Sequence, residues 1–192
     1  RKREKSMETS LQVIKLASKF YRSNLQKPEA IAAKTYLQNR GISEKAIAKF
    51  EIGYALSTKN SLTNFMTAKG ITLDQLVVAG LCSTSDSTGE PFDRFRNRIV
   101  FPIHDSRGRT IAFGGRSMNP KANAKYLNSP ETSLFSKGKV LYNYFNAKSY
   151  FCSQHKLMAK VLTDFSSLGF NSTDIIQYLN ASSTLPRSFN MF

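Results

Sequence analysis

The chain has 192 residues, and its 28 Lys and Arg outnumber its 13 Asp and Glu to give a formal charge of +15. Hydrophobic residues make up 41% of the sequence and aromatic residues 11%, which is enough apolar material for a folded core and excludes a disordered basic tail. No apolar run approaches the ~20 residues of a membrane-spanning helix, so we expect no membrane partner. The sequence begins at Arg1 without a secretory signal, and we expect an internal piece of a longer protein.

The positive charge lies in two blocks. Residues 1–40 carry a net charge of +7 and residues 93–148 a net charge of +8, whereas residues 41–92 carry −1 and residues 149–192 carry +1. Two basic blocks around a nearly neutral segment are typical of a folded scaffold with a concentrated cationic surface. The alternative is solvated lysine that serves solubility; it fits the first block better than the second, where arginine recurs among aromatic and β-branched residues.

Helical patterns fill the first part of the chain. Apolar residues three to four positions apart predict an amphipathic helix from about Met7 to Leu25, which is a linker or a docking helix. Pro28 suits the first turn of a second helix, which we expect to stop at Gly41. Three further helices are predicted before residue 80 from their start and stop signals. Their predicted N-caps are Ser43, Ser61 and Thr72, and Gly53 is the predicted end of the first of them.

Strand patterns follow. Apolar residues alternate over 99–103 and again over 111–113, which predicts a β-hairpin whose turn contains Gly108 at a positive φ. A polar loop over 83–89 separates two short extended pieces, and residues 120–138 predict an ordered loop. The remaining patterns are a short strand near Val140–Tyr142 and weak helices at 156–168 and 173–180. We therefore predict an α+β fold, in which a helical N-terminal region packs with a small antiparallel β-sheet.

The hairpin register brings arginines together. Because antiparallel partners add to a constant residue number, a turn centred on Arg107 and Gly108 places Arg98 within one or two residues of Arg116. A guanidinium can hold a phosphate through two parallel hydrogen bonds. We therefore expect Arg96, Arg98 and Arg116 to gather at the open end of the hairpin, with Arg94 nearby, where they could hold phosphates.

Motifs in the second basic block resemble a known family. They are FDRFRNRIVFPI at 92–103, FGGR at 113–116, KYLNSPET at 125–132 and FSKG at 135–138, with YLQNRGI at 36–42 and FEIGY at 50–54 upstream. This order and spacing resembles the N-terminal subdomain of the RNA polymerase core of bacterial DnaG-type DNA primases, from about residue 10 to 148.

The resemblance implies synthesis of short RNA primers for DNA replication on a single-stranded DNA template from ribonucleoside triphosphates. It implies that this subdomain holds the template and the RNA:DNA hybrid, and that a replicative helicase is contacted only through domains absent here. The implied location is the bacterial cytoplasm, at the replisome, or an organelle if the source is eukaryotic. The positions that match the family's nucleic-acid-binding residues are Arg40, Arg116, Lys125, Asn128 and Lys137, and Arg94, Arg96 and Arg98 lie in the same motifs.

The resemblance also implies that the metals of a complete primase are held elsewhere, Mg²⁺ by a following TOPRIM domain and Zn²⁺ by a preceding zinc ribbon. Residues 149–192 contain only two acidic residues, Asp164 and Asp174, and do not resemble the family. We therefore predict a linker helix at 1–27, the primase subdomain at 28–148, and a C-terminal segment of unknown role at 149–192 with the TOPRIM domain absent. We expect no metal and no catalytic residue in this chain, which alone would be inactive.

Other side chains admit two interpretations. Tyr126 is a base-stacking residue or a core residue. Gly114 and Gly115 form a small anion-binding nest or merely permit a bend.

His104 is expected to be a hydrogen-bonded turn residue. Charge pairing with arginine is expected for the scattered acids Asp93, Asp105 and Glu131. Metal binding is not expected for the Cys152–His155 pair, and Cys82 is expected to be a buried or incidental thiol.

Two other functions remain as alternatives. The first is a non-catalytic module that binds single-stranded nucleic acid, either a truncated primase or a primase-helicase relative. The second is a basic structural protein such as a ribosomal component. A cluster of metal-binding carboxylates would separate a polymerase from either of them, and none is visible in the sequence.

Overall fold

A computed structural model describes residues 2–85, 88–140 and 142–146. The chain divides into two units, and nearly all described residues belong to the first, residues 1–145. The predictions for Cys152 and His155, and for helices at 156–168 and 173–180, lie outside the described residues.

The first unit has the predicted α+β architecture. Its helices are α1 (Lys2–Leu25), α2 (Ile31–Asn39), α3 (Glu44–Lys49), α4 (Ser61–Thr67) and α5 (Leu73–Val78), with 3-10 turns at Pro28–Ala30 and Lys137–Lys139. Its strands are β1 (Gly53–Ala55), β2 (Cys82–Thr84), β3 (Pro91–Asp93), β4 (Arg98–His104), β5 (Thr110–Ser117) and β6 (Tyr126–Asn128). The four-stranded antiparallel sheet has the order β1-β4-β5-β6, and β2 and β3 form a separate hairpin.

Helices cover both faces of the four-stranded sheet. On one face α1 contributes the buried residues Ile14 and Tyr21, which share a core with Val100 of β4 and Phe113 of β5. The approach is close, because a Cβ on Gly53 of β1 would lie 2.6 Å from Tyr21. Helix α1 is thus docked along most of its length, the second of its two predicted roles.

A second core lies on the opposite face. There α2 contributes Ala33 and Leu37, which pack with Tyr54 of β1 and Ile99 of β4. Alternation along the strands explains the division, since neighbouring residues of a strand point to opposite faces. Helix α1 therefore covers one face of the four-stranded sheet and α2 covers the other.

Local signals predicted several elements correctly. Helix α1 ends at Leu25 as predicted, although it begins at Lys2. Ser43 Oγ accepts from Ala46 N at 3.2 Å, and Thr72 forms a capping box with Gln75, so both predicted caps are confirmed. The hairpin is confirmed with its turn at Gly108, where φ is +81°.

Four local predictions were wrong. Gly53 does not end α3, which stops at Lys49; it begins β1 instead. Ser61 is the first residue of α4 rather than its cap. The predicted strand near 140–142 is absent at Val140 and Tyr142, and Leu141 is not described. The predicted loop at 120–138 contains the short strand β6, which pairs with β5.

Asp93 supplies the missing cap of α4. Its carboxylate accepts from Leu62 N at 2.7 Å, from Thr63 N at 3.0 Å and from the Thr63 hydroxyl at 2.6 Å. The expected charge pairing of Asp93 with arginine is therefore wrong. Thr63 Oγ1 also lies 2.9 Å from Sγ of buried Cys82, and burial raises the pKa of that thiol. A buried polar network thus joins α4 to β2 and β3.

Candidate nucleic-acid interface

One row of paired residues runs across all four strands of the sheet, from the buried core to an exposed edge. Tyr54 of β1 pairs with Ile99 of β4, Ile99 with Arg116 of β5, and Arg116 with Tyr126 of β6. Paired residues share a face, so the four side chains lie on the face that α2 covers. Tyr54 is 5% exposed and Ile99 0%, whereas Arg116 is half-buried and Tyr126 is 56% exposed. The exposure of Tyr126 favours its base-stacking interpretation over a core position.

Helix α2 adds an aromatic ring and a second guanidinium to this edge. Cζ of Arg116 lies 4.1 Å from the ring centroid of Tyr36 and 6.0 Å from that of Tyr126. Cζ of Arg40, at the C-terminal end of α2, lies 5.4 Å from the same Tyr36 ring. Nζ of Lys125 lies 5.8 Å from the ring of Tyr126. We call these five residues the Tyr–Arg cluster.

Among the described residues, no carboxylate forms an ion pair with a cation of the Tyr–Arg cluster. Over the described residues, the carboxylates that form ion pairs within 4.0 Å are Glu51, Glu90 and Asp105, and their partners lie elsewhere. Aromatic rings hold Arg40, Arg116 and Lys125 instead of carboxylates. A ring attracts a cation without neutralising it, so this edge presents three positive charges together with an exposed aromatic ring.

Asn128 lies beside the cluster on the same face. It pairs with Gly114 of β5, and this pair lies two residues along the strands from the pair of Arg116 and Tyr126. A Cβ on Gly114 would lie 3.1 Å from Asn128 Oδ1. The anion-nest interpretation of Gly114 and Gly115 is wrong, because both lie in β5 between β4 and β6 and neither has a positive φ. Gly114 instead leaves room for the Asn128 amide.

Arg98 lies at the same end of the hairpin but on the opposite face. It pairs with Ser117 and is adjacent in register to Arg116, so the predicted proximity is confirmed, yet strand alternation separates the side chains. Its guanidinium donates to the carbonyl oxygens of Ala124 at 2.9 Å, Lys125 at 3.3 Å and Gly115 at 3.4 Å. Burial lowers the pKa of Arg98. Arg98 thus ties the segment before β6 to β5.

Arg94 has a similar structural contact. Its Nε donates to the carbonyl oxygen of Asn128 at 3.0 Å, and burial lowers its pKa. Arg96 is exposed in the segment before β4, and Lys137 is exposed in the 3-10 turn, where its backbone N–H donates to Glu131 at 2.9 Å. Among the described residues no cation–π contact joins Arg96 or Lys137 to the Tyr–Arg cluster.

The other candidate residues have structural partners. Nε2 of His104 lies 3.2 Å from Glu51, which agrees with a hydrogen-bonded residue at the hairpin turn. Asp105 pairs with Arg109 at 2.8 Å as expected. Burial raises the pKa of Asp105, but hydrogen bonds from Arg109 and Arg107 outweigh it and leave the pKa below its usual value. Glu131 accepts from a backbone N–H rather than from an arginine.

The described carboxylates do not fit a catalytic metal site. Asp93 caps a helix, Asp105 closes a turn, and Glu51 contacts Arg22. Among the described residues no group of three or more His, Cys, Asp or Glu side chains converges. Within the same residues no helix is long and apolar enough to cross a membrane.

Tyr36 belongs to the candidate site, although the sequence did not single it out as a binding residue. Its contact with Arg40 follows an i, i+4 spacing on one helix, which is a signal available in the sequence. Its contact with Arg116 joins residues 80 positions apart, and no local pattern reports it.

Comparison with known proteins shows the family of the chain. The family model for the DNA primase catalytic core, N-terminal domain, matches residues 20–148. The DNA primase of Halalkalibacterium halodurans is 37% identical over 148 residues, which is 77% of this chain and 24% of that protein. The DNA primase of Escherichia coli K12 is 38% identical over 151 residues, covering 79% of this chain and 26% of that protein.

A solved structure agrees as well. The DnaG primase catalytic domain bound to single-stranded DNA is 39% identical with a TM-score of 0.69, over 76% of this chain and 46% of that one. The chain therefore belongs to the DnaG primase family and contains the N-terminal domain of its catalytic core. It spans about a quarter of the length of the curated primases that it matches.

Proposed function

We propose that this chain holds the single-stranded DNA template and the RNA:DNA hybrid while a primase synthesises short RNA primers for DNA replication. The observation that carries the proposal is the Tyr–Arg cluster, in a chain of the primase family. It places three cations, none of which has an ion-pair partner among the described residues, beside the exposed ring of Tyr126. Ring stacking on bases and cation contacts to phosphates are the two usual elements of single-strand binding.

Within this proposal the predicted binding residues have different tasks. Arg40, Arg116 and Lys125 contact phosphates, and Asn128 lies next to them on the same face. Arg94 and Arg98 hold β6 in place through backbone carbonyl oxygens, so most of their contribution is indirect. Arg96 and Lys137 would extend the surface along the strand.

The chemistry of primer synthesis would then take place in other parts of a primase. Within this proposal residues 28–148 are the core subdomain, the helix of residues 1–27 is docked on its sheet, and residues 149–192 are a segment of unknown role. In the complete primase, ribonucleoside triphosphates are the substrates, and the two metals, Mg²⁺ and Zn²⁺, would be held by a TOPRIM domain and a zinc ribbon. We expect the isolated chain to make no primers with Mg²⁺ and nucleotides, and labelled primer products would contradict this assignment. The proposed location is the bacterial replisome, in the cytoplasm, or an organelle if the source is eukaryotic.

The test is the salt dependence of binding to a labelled oligothymidylate, followed by fluorescence anisotropy with the whole chain. If about five groups contact phosphates, log K should fall with log salt at a slope of about −3.5. Arg116→Ala should weaken binding and reduce the slope by about 0.7. The matched control is Arg107→Ala at the closed end of the hairpin, roughly 20 Å from Arg116 along β5.

The control should keep both the affinity and the slope of the wild type. Binding that does not depend on salt would contradict the proposal. Equal effects of the two arginine substitutions would contradict the placement of the site.

A further inference from the structure

The ring of Tyr36 receives two guanidiniums from different parts of the chain. Arg40 follows it by one turn at the end of α2, and Arg116 comes from the C-terminal end of β5, an inner strand of the sheet. Both Cζ atoms lie within the ~6 Å limit of a cation–π contact, at 5.4 Å and 4.1 Å from the centroid. A single aromatic side chain thus connects the helix cation to the strand cation.

This kind of contact differs from an ion pair in what it leaves available. A carboxylate would hold an arginine by occupying its N–H donors and cancelling its charge. A ring under the guanidinium plane leaves the donors at the edge of that plane unused and the charge intact. Arg40 and Arg116 are therefore ordered before any phosphate arrives, and binding costs less side-chain entropy than it does with free arginines.

We propose that Tyr36 is a positioning residue that orders Arg40 and Arg116 for phosphate binding, an inference that rests on the proposed function. Tyr36 is half-buried at the margin of the second core, next to Ala33 and Leu37 on α2. Its backbone is fixed by that packing. The exposed ring of the cluster is Tyr126, so direct stacking on bases belongs to Tyr126 and not to Tyr36.

The test is a mutant cycle on oligothymidylate affinity. Tyr36→Phe keeps the ring and should bind within about twofold of wild type. Tyr36→Leu should bind about fivefold more weakly, since two cation–π contacts are lost. Its salt slope should remain that of wild type, because every cation is still present. Tyr144→Leu, the same change at an exposed tyrosine outside the Tyr–Arg cluster, should have no effect.

The decisive comparison repeats Tyr36→Leu in a chain that already carries Arg40→Ala and Arg116→Ala. If Tyr36 acts only through the two arginines, its substitution then has no further effect on affinity. A persisting fivefold loss would overturn the inference, because it would show a direct contact with the nucleic acid or a general loss of structure. If Tyr36→Leu does not fold, Tyr36→Met replaces it in the same cycle.

The result also separates this inference from the proposed function. Salt-dependent wild-type binding that Tyr36→Leu leaves unchanged would overturn the inference and retain the proposed function. Wild-type binding that does not depend on salt would overturn both.

Discussion

The carboxylate of Asp93 gives the sharpest stability prediction. It is 7% exposed and accepts three hydrogen bonds from Leu62 and Thr63 at the start of α4. Asp93→Asn keeps the size of the side chain but replaces one acceptor oxygen with an NH₂ group. If the remaining oxygen serves Thr63, the NH₂ group faces Leu62 N–H, and one buried donor loses its partner.

The expected loss of stability follows from that one lost hydrogen bond. A hydrogen bond to a charged group contributes about 1.5–3 kcal/mol, and an unsatisfied buried donor costs about 1–3 kcal/mol. These two figures describe the same lost contact, so the free energy of unfolding should fall by about 2–3 kcal/mol. With a urea m-value of about 2 kcal/mol/M, the unfolding midpoint should move down by roughly 1 M.

The assay is urea unfolding followed by circular dichroism, with Asp74→Asn as the matched control. Asp74 also lies at a helix N-terminus, on the first turn of α5, but it is exposed and Thr72 caps that helix. Its substitution should cost at most about 1 kcal/mol, through the helix dipole alone. Equal midpoints for Asp93→Asn and Asp74→Asn would refute the assigned role of Asp93.

Two further predictions use close packing and pH. Gly115→Ala should destabilise the fold by about 1–3 kcal/mol, because its Cβ would lie 2.6 Å from the ring of Phe95; Gly138→Ala, where the same atom meets open space, should be near neutral in the same urea titration. Since the folded-state pKa of Asp105 is lowered, its stabilisation is present above the unfolded value of about 3.9 and is lost as pH falls through the folded-state pKa. The midpoint difference between wild type and Asp105→Asn should therefore be largest near neutral pH and shrink below about pH 4; a constant difference would contradict the assigned hydrogen bonds.

Elements set by local chemistry could be predicted from the sequence. The Ser43 and Thr72 caps depend on residues three positions away, and the hairpin depends on strand alternation and one glycine. The register also placed Arg98 beside Arg116, although the two-residue period of a strand would further have shown that they point to opposite faces.

Elements set by distant residues could not be predicted. The α4 cap comes from Asp93, 30 residues beyond Thr63, so Ser61 was the plausible but wrong choice. Strand β6 has three residues and exists because β5 pairs with it. The candidate site also depends on distant residues. The basic residues could be named from the sequence, but only tertiary contacts show that Arg40 and Arg116 lie against an aromatic ring while Arg94 and Arg98 donate to backbone carbonyl oxygens.

The most direct test of the account observes the arginine side chains themselves. In a ¹⁵N-labelled chain titrated with an oligothymidylate, the Nε–H signals of Arg40 and Arg116 should shift in proportion to binding. Those of Arg94 and Arg98, which lie among backbone carbonyl oxygens, should move little. Large shifts at Arg94 and Arg98 with unchanged signals at Arg40 and Arg116 would contradict the central claim that the Tyr–Arg cluster binds the template.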